Sequence, residues 1–274
     1  MKLSDMRALL DKRNIQLTRS LGQNFLHDAN QLKRIADAGE VTKADRVLEI
    51  GPGLGPLTEL LLDRAGEVLA IEMDLRLVTV LKERFPELNL LHADALEFIR
   101  RESRDWSDWK LVANLPYSVA SPILVEMALA PQRPQQMTVT LQLEVAQRLM
   151  AAADDDDYGV LTLLVQLEYQ PRGWFKIPAD CFFPAPNVDS ACVTLVRRET
   201  PLLPDALRPG FVRIVKRAFS QRRKMMLKLL KAEWPAEKLQ QAFTELNISP
   251  MERAEKLSLE QFVALTTFLS GVSK

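Results

Sequence analysis

The chain has 274 residues, 47% hydrophobic and 26% charged, with 36 Lys and Arg against 36 Asp and Glu. This composition excludes a disordered polyelectrolyte, and no apolar run approaches the roughly 18 residues a membrane-spanning helix needs. Two cysteines (Cys181, Cys192) with no Cys-x-x-Cys, and two histidines (His27, His92), argue against structural zinc and for a reducing, cytoplasmic setting. Met1–Arg19 alternates charged and apolar residues and does not read as a secretory signal. The neutral total hides an uneven spread. Residues 205–234 hold nine Lys and Arg against Asp205 and Glu233, and residues 1–34 hold seven against three acids. Such segments either are solvated helix faces or bind polyanions locally.

In chain order, Met1–Arg13 reads as a short helix and Thr18–His27 as a polar loop, and Asp28 can cap a helix running to about Ala38. Short apolar and β-branched runs then alternate with helical periods. Arg46–Ile50, Val68–Glu72, Leu88–His92, Leu111–Asn114 and Met137–Leu141 read as strands; Leu57–Arg64, Leu75–Phe85 and Ile123–Leu129 read as helices. The four aspartates Asp154–Asp157 read as a solvated acidic loop. Tyr169–Lys176 and Ala191–Arg197 add two strands with no full helix between them, which predicts a hairpin at the sheet edge. The total is an α/β domain with a seven-stranded, mainly parallel sheet covered by helices on both faces. Thr200–Pro209, with three prolines, reads as a linker. Beyond it the periods are all helical: Phe211–Phe219, Arg223–Ala232, Glu237–Leu246 and Leu259–Leu269. The expected division is a catalytic domain over 1–200 and a small all-helical C-terminal domain over 201–274.

The first strand runs into Glu49-Ile50-Gly51-Pro52-Gly53-Leu54-Gly55. Glycines there let the backbone turn tightly and approach a ligand, a feature that also fits a dinucleotide fold. Glu72 ends the second strand, 21 residues after Gly51, where a carboxylate can accept both ribose hydroxyls of an adenosine-type cofactor. Asp94 follows the third strand and can accept the exocyclic amine of the cofactor's adenine. Asn114 ends the fourth. Polar residues after consecutive strands, beside a glycine turn, exceed what a nicotinamide enzyme requires.

Asn114-Leu115-Pro116-Tyr117 resembles the (Asn/Asp)-Pro-Pro-(Tyr/Phe) motif of amino-group methyltransferases. The residue types suit methyl transfer from a sulfonium to an aromatic amine, which needs no metal because the leaving group is neutral. The Asn114 side-chain oxygen and the Leu115 carbonyl can each accept one N6–H of adenine and draw N6 toward a tetrahedral, nucleophilic geometry. Pro116 stiffens the turn, and Tyr117 can stack on an unstacked base. In Phe182-Phe183-Pro184-Ala185-Pro186-Asn187-Val188-Asp189-Ser190, Phe182 is a candidate to cover the base's other face.

Several segments together resemble the KsgA/RsmA family of ribosomal RNA adenine dimethyltransferases. They are Leu21-Gly22-Gln23-Asn24-Phe25-Leu26, the glycine turn, Asn114–Tyr117, Phe182–Ser190, Phe219-Ser-Gln-Arg-Arg-Lys224 and Arg253-Ala-Glu-Lys-Leu-Ser258. The resemblance implies a Rossmann-like, seven-stranded class I methyltransferase sheet and S-adenosylmethionine as cofactor. It implies dimethylation of two adjacent adenosines in the hairpin loop near the 3′ end of 16S rRNA, with a role in small-subunit biogenesis. The implied cofactor contacts are Asn24, Leu26, Gly51, Gly53, Glu72, Asp94 and Asn114. Arg222, Arg223 and Lys224, on a basic helix, would meet rRNA phosphates, and the helical domain would dock the small ribosomal subunit. A cytoplasmic monomer is expected. Leu21, where the family often has Phe or Tyr, and Ser220, where Asn is common, depart from the pattern. The alternatives are an Erm-type enzyme acting on large-subunit rRNA, for which Asn-Ile-Pro-Tyr is typical, a DNA adenine methyltransferase, and a non-catalytic ribosome-assembly factor.

Overall fold

The computed structural model describes residues 1–17 and 23–271. Its elements in chain order are α1 (Leu3–Lys12), β1 (Phe25–Leu26), α2 (Ala29–Ala38), β2 (Arg46–Ile50), α3 (Pro56–Arg64), β3 (Glu67–Glu72) and α4 (Leu75–Arg84). β4 (Asn89–His92), α5 (Ala95–Arg101), β5 (Trp109–Asn114), α6 (Ala120–Leu129), β6 (Gln136–Gln142), α7 (Leu143–Met150) and α8 (Val160–Gln166) follow. The chain continues through β7 (Tyr169–Ile177), β8 (Phe182–Phe183), β9 (Ser190–Arg197), α9 (Arg208–Ala218), α10 (Met226–Leu230), α11 (Ala236–Glu245) and α12 (Leu259–Ser270). Chain contacts divide into two compact units, Met1–Ala146 with Pro171–Arg197, and Gln147–Gln170 with Arg198–Lys274.

In the first unit the seven-stranded sheet has the order β4-β3-β2-β5-β6-β9-β7. β2 through β6 are parallel and β9 runs antiparallel to β6. The chain starts at the centre, winds outward through β3 and β4, then returns to place β5 against the other side of β2. The crevice at that reversal is where open α/β sheets bind ligands. The strands read as buried apolar runs because helices cover them: Val47, Leu48, Leu69, Ala70, Leu111, Val112 and Val139 are all buried. β9 inserts between β6 and β7, so the expected pairing of the last two strands holds with β7 as the edge.

Helix starts follow local chemistry. Asp28, Asp74 and Asp94 each accept a backbone N–H of the first turn of α2, α4 and α5. Pro56 opens α3. Two expectations change. Phe25–Leu26, expected in a loop, pairs antiparallel with Phe182–Phe183. Two residues are too few to show a period, and their partner lies far off in the chain. The helix expected from Arg223 begins only at Met226. Arg222, Arg223 and Lys224 lie in a turn closed by the Lys224 N–H donating to the Gln221 carbonyl at 3.0 Å.

The second unit packs Phe211, Leu239, Phe243, Phe262 and Leu265 into its core. Tyr158 and Phe219 meet edge to face, with Phe219 tilted against Phe262. The acidic loop is tied down at Asp154, which has φ 79° and pairs with Lys256. Glu168 pairs with Arg208 at 2.6 Å, both buried, and Asp205 meets the same guanidinium at 2.5 Å. Removing Glu168 leaves the buried Arg208 guanidinium only the exposed Asp205 to offset its charge. Glu168→Ala is therefore expected to cost about 3 kcal/mol in urea unfolding; a loss under about 1 kcal/mol would reduce the pair to a surface-type contact.

Candidate active site

A cavity of about 250 Å³ opens at the carboxyl ends of β2, β3, β4 and β5. Its floor is the turn after β2, where Gly51 and Gly53 have φ of 68° and 62°. These left-handed conformations suit glycine, and space requires it too. A Cβ at Gly53 would lie 2.7 Å from the Phe25 ring, and one at Gly51 would lie 3.1 Å from Pro116. The turn is thus clasped between the segment before β1 and the segment after β5.

Glu72 is 7% exposed at the end of β3. Its two oxygens accept the Gly53 N–H at 3.1 Å and the Asp74 N–H at 2.9 Å. Burial raises its pKa against the pull of these bonds. Each oxygen keeps lone-pair capacity for a further donor. Glu49 lies on the same sheet face, because it pairs with Ala70, two residues before Glu72. It is fully buried, one oxygen has no partner, and burial pushes its carboxyl up to about 8, opposed by Thr58 and reinforced by Glu72. Asp94 lines the cavity from the start of α5, one oxygen capping that helix through the Glu97 N–H at 3.0 Å.

Across the cavity, the Asn114 Nδ2 donates to the Asn24 carbonyl at 3.2 Å, which fixes the amide's orientation. Its Oδ1 is buried and accepts nothing. The Leu115 N–H donates to the Thr140 carbonyl at 3.0 Å, so the motif hangs from β6 while its side chain enters the core. Tyr117 lines the cavity and shares a 2.6 Å hydrogen bond with the Ser190 hydroxyl; burial raises the phenol's pKa. On the N-terminal side, Gln23 donates to Asp74 at 2.9 Å. Arg76 grips the same carboxylate at 2.6 and 2.9 Å and holds it down to about 2 despite partial burial.

Asn24, Gly51, Gly53, Glu72, Asp94 and all four residues of Asn114–Tyr117 therefore meet around one space. Two expected residues do not reach it. Phe182 is 2% exposed and packs in the core with Leu26, Ile177 and Cys192, away from the residues that line the cavity. The side chain of Leu26, its partner across the short ladder, is buried with it. Alternation along a strand sends one of two adjacent residues inward, so Phe183 takes the opposite face, under Arg7. Leu21 and Gly22 lie outside the described residues. Arg222, Arg223 and Lys224 belong to the other unit and are exposed; Arg222 donates to the Asp156 carbonyl at 2.7 Å. No local pattern signals Ser190 as the partner of Tyr117, or the unpaired oxygen of Glu49.

Comparison with known proteins agrees with this geometry. The family model described as ribosomal RNA adenine dimethylase matches residues 14–270. A ribosomal RNA small subunit methyltransferase A of Clostridium perfringens is 39% identical over 265 residues, covering 95% of this chain and 93% of that protein. One from a Geobacillus species is 36% identical over 279 residues, covering 97% and 96%. Among solved structures, the 23S rRNA methyltransferase ErmE aligns with TM-score 0.69 and 29% identity over 90% of this chain and all of that one. A dimethyladenosine transferase from Plasmodium falciparum shares the fold, with TM-score 0.76 and 24% identity over 88% of this chain and 95% of that one. The sheet is the Rossmann-like, seven-stranded sheet of class I methyltransferases. The chain belongs to the ribosomal RNA adenine dimethylase family.

Proposed function

We propose that this chain dimethylates N6 of two adjacent adenosines in the hairpin loop near the 3′ end of 16S rRNA. It uses S-adenosylmethionine and acts as a cytoplasmic monomer on the small ribosomal subunit during its biogenesis. The observation that carries this reading is the Asn114 Oδ1, a buried acceptor without a donor at the cavity wall. An unmet buried acceptor costs about 1–3 kcal/mol. An adenine amine is a donor of the right kind, and the Leu115 carbonyl is the second acceptor its other N–H requires. The preference for the small subunit rests on the relatives named for it, at 36–39% identity, against 29% for the large-subunit enzyme ErmE.

The residues fit the cofactor. Gly51 and Gly53 bring bare backbone to the cavity wall, Glu72 keeps lone pairs for ribose hydroxyls, and Asp94 can accept an adenine amine. When bound, S-adenosylmethionine supplies a sulfonium methyl: the N6–C bond forms as the S–C bond breaks, the bonding pair stays on sulfur, and the N6 proton leaves to solvent. Asn114 and Leu115 accept the N6–H groups and bias the lone pair toward the incoming carbon. Tyr117 stacks on the base once it has left its neighbours. With Phe182 in the core, the ring of Tyr117 is the aromatic surface this reading requires. Arg222, Arg223 and Lys224 contribute phosphate contacts, and the second unit docks the subunit.

Asn114→Ala is expected to lower methyl transfer at least about 100-fold, as loss of a transition-state hydrogen bond does, while subunit binding changes little. Single-turnover transfer beside filter binding checks this, and near-normal turnover sinks the mechanism. Reversing Arg222 and Arg223 to Glu is expected to weaken subunit binding about tenfold or more and to flatten its salt dependence. An unchanged slope of log affinity against log salt returns those residues to a solvated turn.

A further inference from the structure

We propose that Ser190 is a positioning residue for Tyr117, and that this hydrogen bond matters more to the second methyl transfer than to the first. The inference rests on the reading given under Proposed function.

The two hydroxyls lie 2.6 Å apart, yet they come from elements separated by a whole strand. Tyr117 sits in the turn between β5 and α6, while Ser190 begins β9, on the far side of β6. Ser190 is fully buried and pairs with Gln142 in the ladder. Its neighbour fixes its place. The Asp189 carboxylate accepts the Ala179 N–H at 3.0 Å and pairs with Lys176 at 2.6 Å, and the Asp189 carbonyl accepts the Leu143 N–H at 3.0 Å. A hydroxyl held this way cannot follow the ring if the ring moves. The Tyr117 oxygen lies on the axis of the outer ring torsion, so a tie at the far end of the ring fixes the inner torsion and with it where the ring sits, and restrains the outer one only through the in-plane preference of the phenol O–H. Ser190 thus sets the position of the one aromatic ring that the motif brings to the cavity beside Asn114 and Leu115.

The chemistry then separates the two transfers. Unmodified adenine presents two N6–H donors, matched to the Asn114 Oδ1 and the Leu115 carbonyl. After one transfer a single N6–H remains, so one of the two acceptors has no donor on the base. Hydrogen bonds hold the monomethylated base less well, and stacking on Tyr117 carries more of its placement. A ring free to swing out of place therefore slows the second N6–C bond more than the first.

The test compares wild type with Ser190→Ala, Tyr117→Phe and the double variant on unmodified small subunits. Digestion to nucleosides separates N6-methyladenosine from N6,N6-dimethyladenosine. In Ser190→Ala the first transfer is expected to slow about three- to tenfold, the span of one net hydrogen bond. The second is expected to slow further, so that monomethyladenosine accumulates several-fold over wild type. Tyr117→Phe, which keeps the ring, is expected to give the same product ratio, and the double variant no more than either single one. Cofactor affinity by calorimetry is expected to stay at its wild-type value, and the thermal midpoint to fall by no more than the few degrees that one hydrogen bond accounts for. Equal slowing of both transfers, additive single variants, or a fall in cofactor affinity makes Ser190 merely structural and overturns the inference, leaving the functional reading in place. A wild type that methylates no small subunit overturns both.

Discussion

One amide at the end of a central strand orients the candidate site. The Asn114 Nδ2 is committed to the Asn24 carbonyl, and this bond turns the oxygen into the cavity, where it is buried and accepts nothing. Buried polar groups are nearly always paired, so such an atom calls for an explanation. The same bond joins the segment before β1 to the end of β5. That segment also brings Phe25 against Gly53, just as Pro116 abuts Gly51. Glycine turn, N-terminal segment and catalytic motif are therefore held by mutual contact, and a change in any one displaces the others.

The sheet makes this convergence possible. Because β2 is central and the chain reverses beside it, the carboxyl ends of four consecutive parallel strands open on one crevice. Glu49 and Glu72 share a face there by register alone, and both are buried. Two carboxyls in one apolar setting do not ionise equally. Glu72 has two backbone donors, whereas Glu49 has an unpartnered oxygen and a pKa near 8. Held near 8, Glu49 is mostly protonated at neutral pH, which limits the negative charge beneath the cavity.

Much of this was legible in the residues. Short strands built around buried apolar residues announce themselves by composition, and the polar residues that end them mark the ligand edge. Asn114–Tyr117 was legible because its residue types answer a specific chemical difficulty. Other features were not legible, for stated reasons. The β1–β8 pair is two residues long and joins segments remote in sequence. Which of Phe182 and Phe183 turns inward depends on that pairing register, so the sequence alone does not say which ring is buried. The bond between Tyr117 and Ser190 spans a third strand and leaves no local pattern. Arg222–Lys224 carried the charge pattern of a helix, but the helix starts only at Met226. The placement of residues 147–170 with the second unit is likewise a matter of tertiary contact.

The most direct measurement is transfer of labelled methyl groups from S-adenosylmethionine to small ribosomal subunits lacking the modification, run beside unmodified large subunits and naked DNA. Incorporation is expected into the small subunit alone, recovered as N6,N6-dimethyladenosine at two adjacent positions of the 3′-terminal hairpin loop. Incorporation into large-subunit rRNA would contradict it in favour of an Erm-type enzyme. Tight small-subunit binding with no incorporation anywhere would contradict it in favour of an assembly factor that has kept the fold without the chemistry.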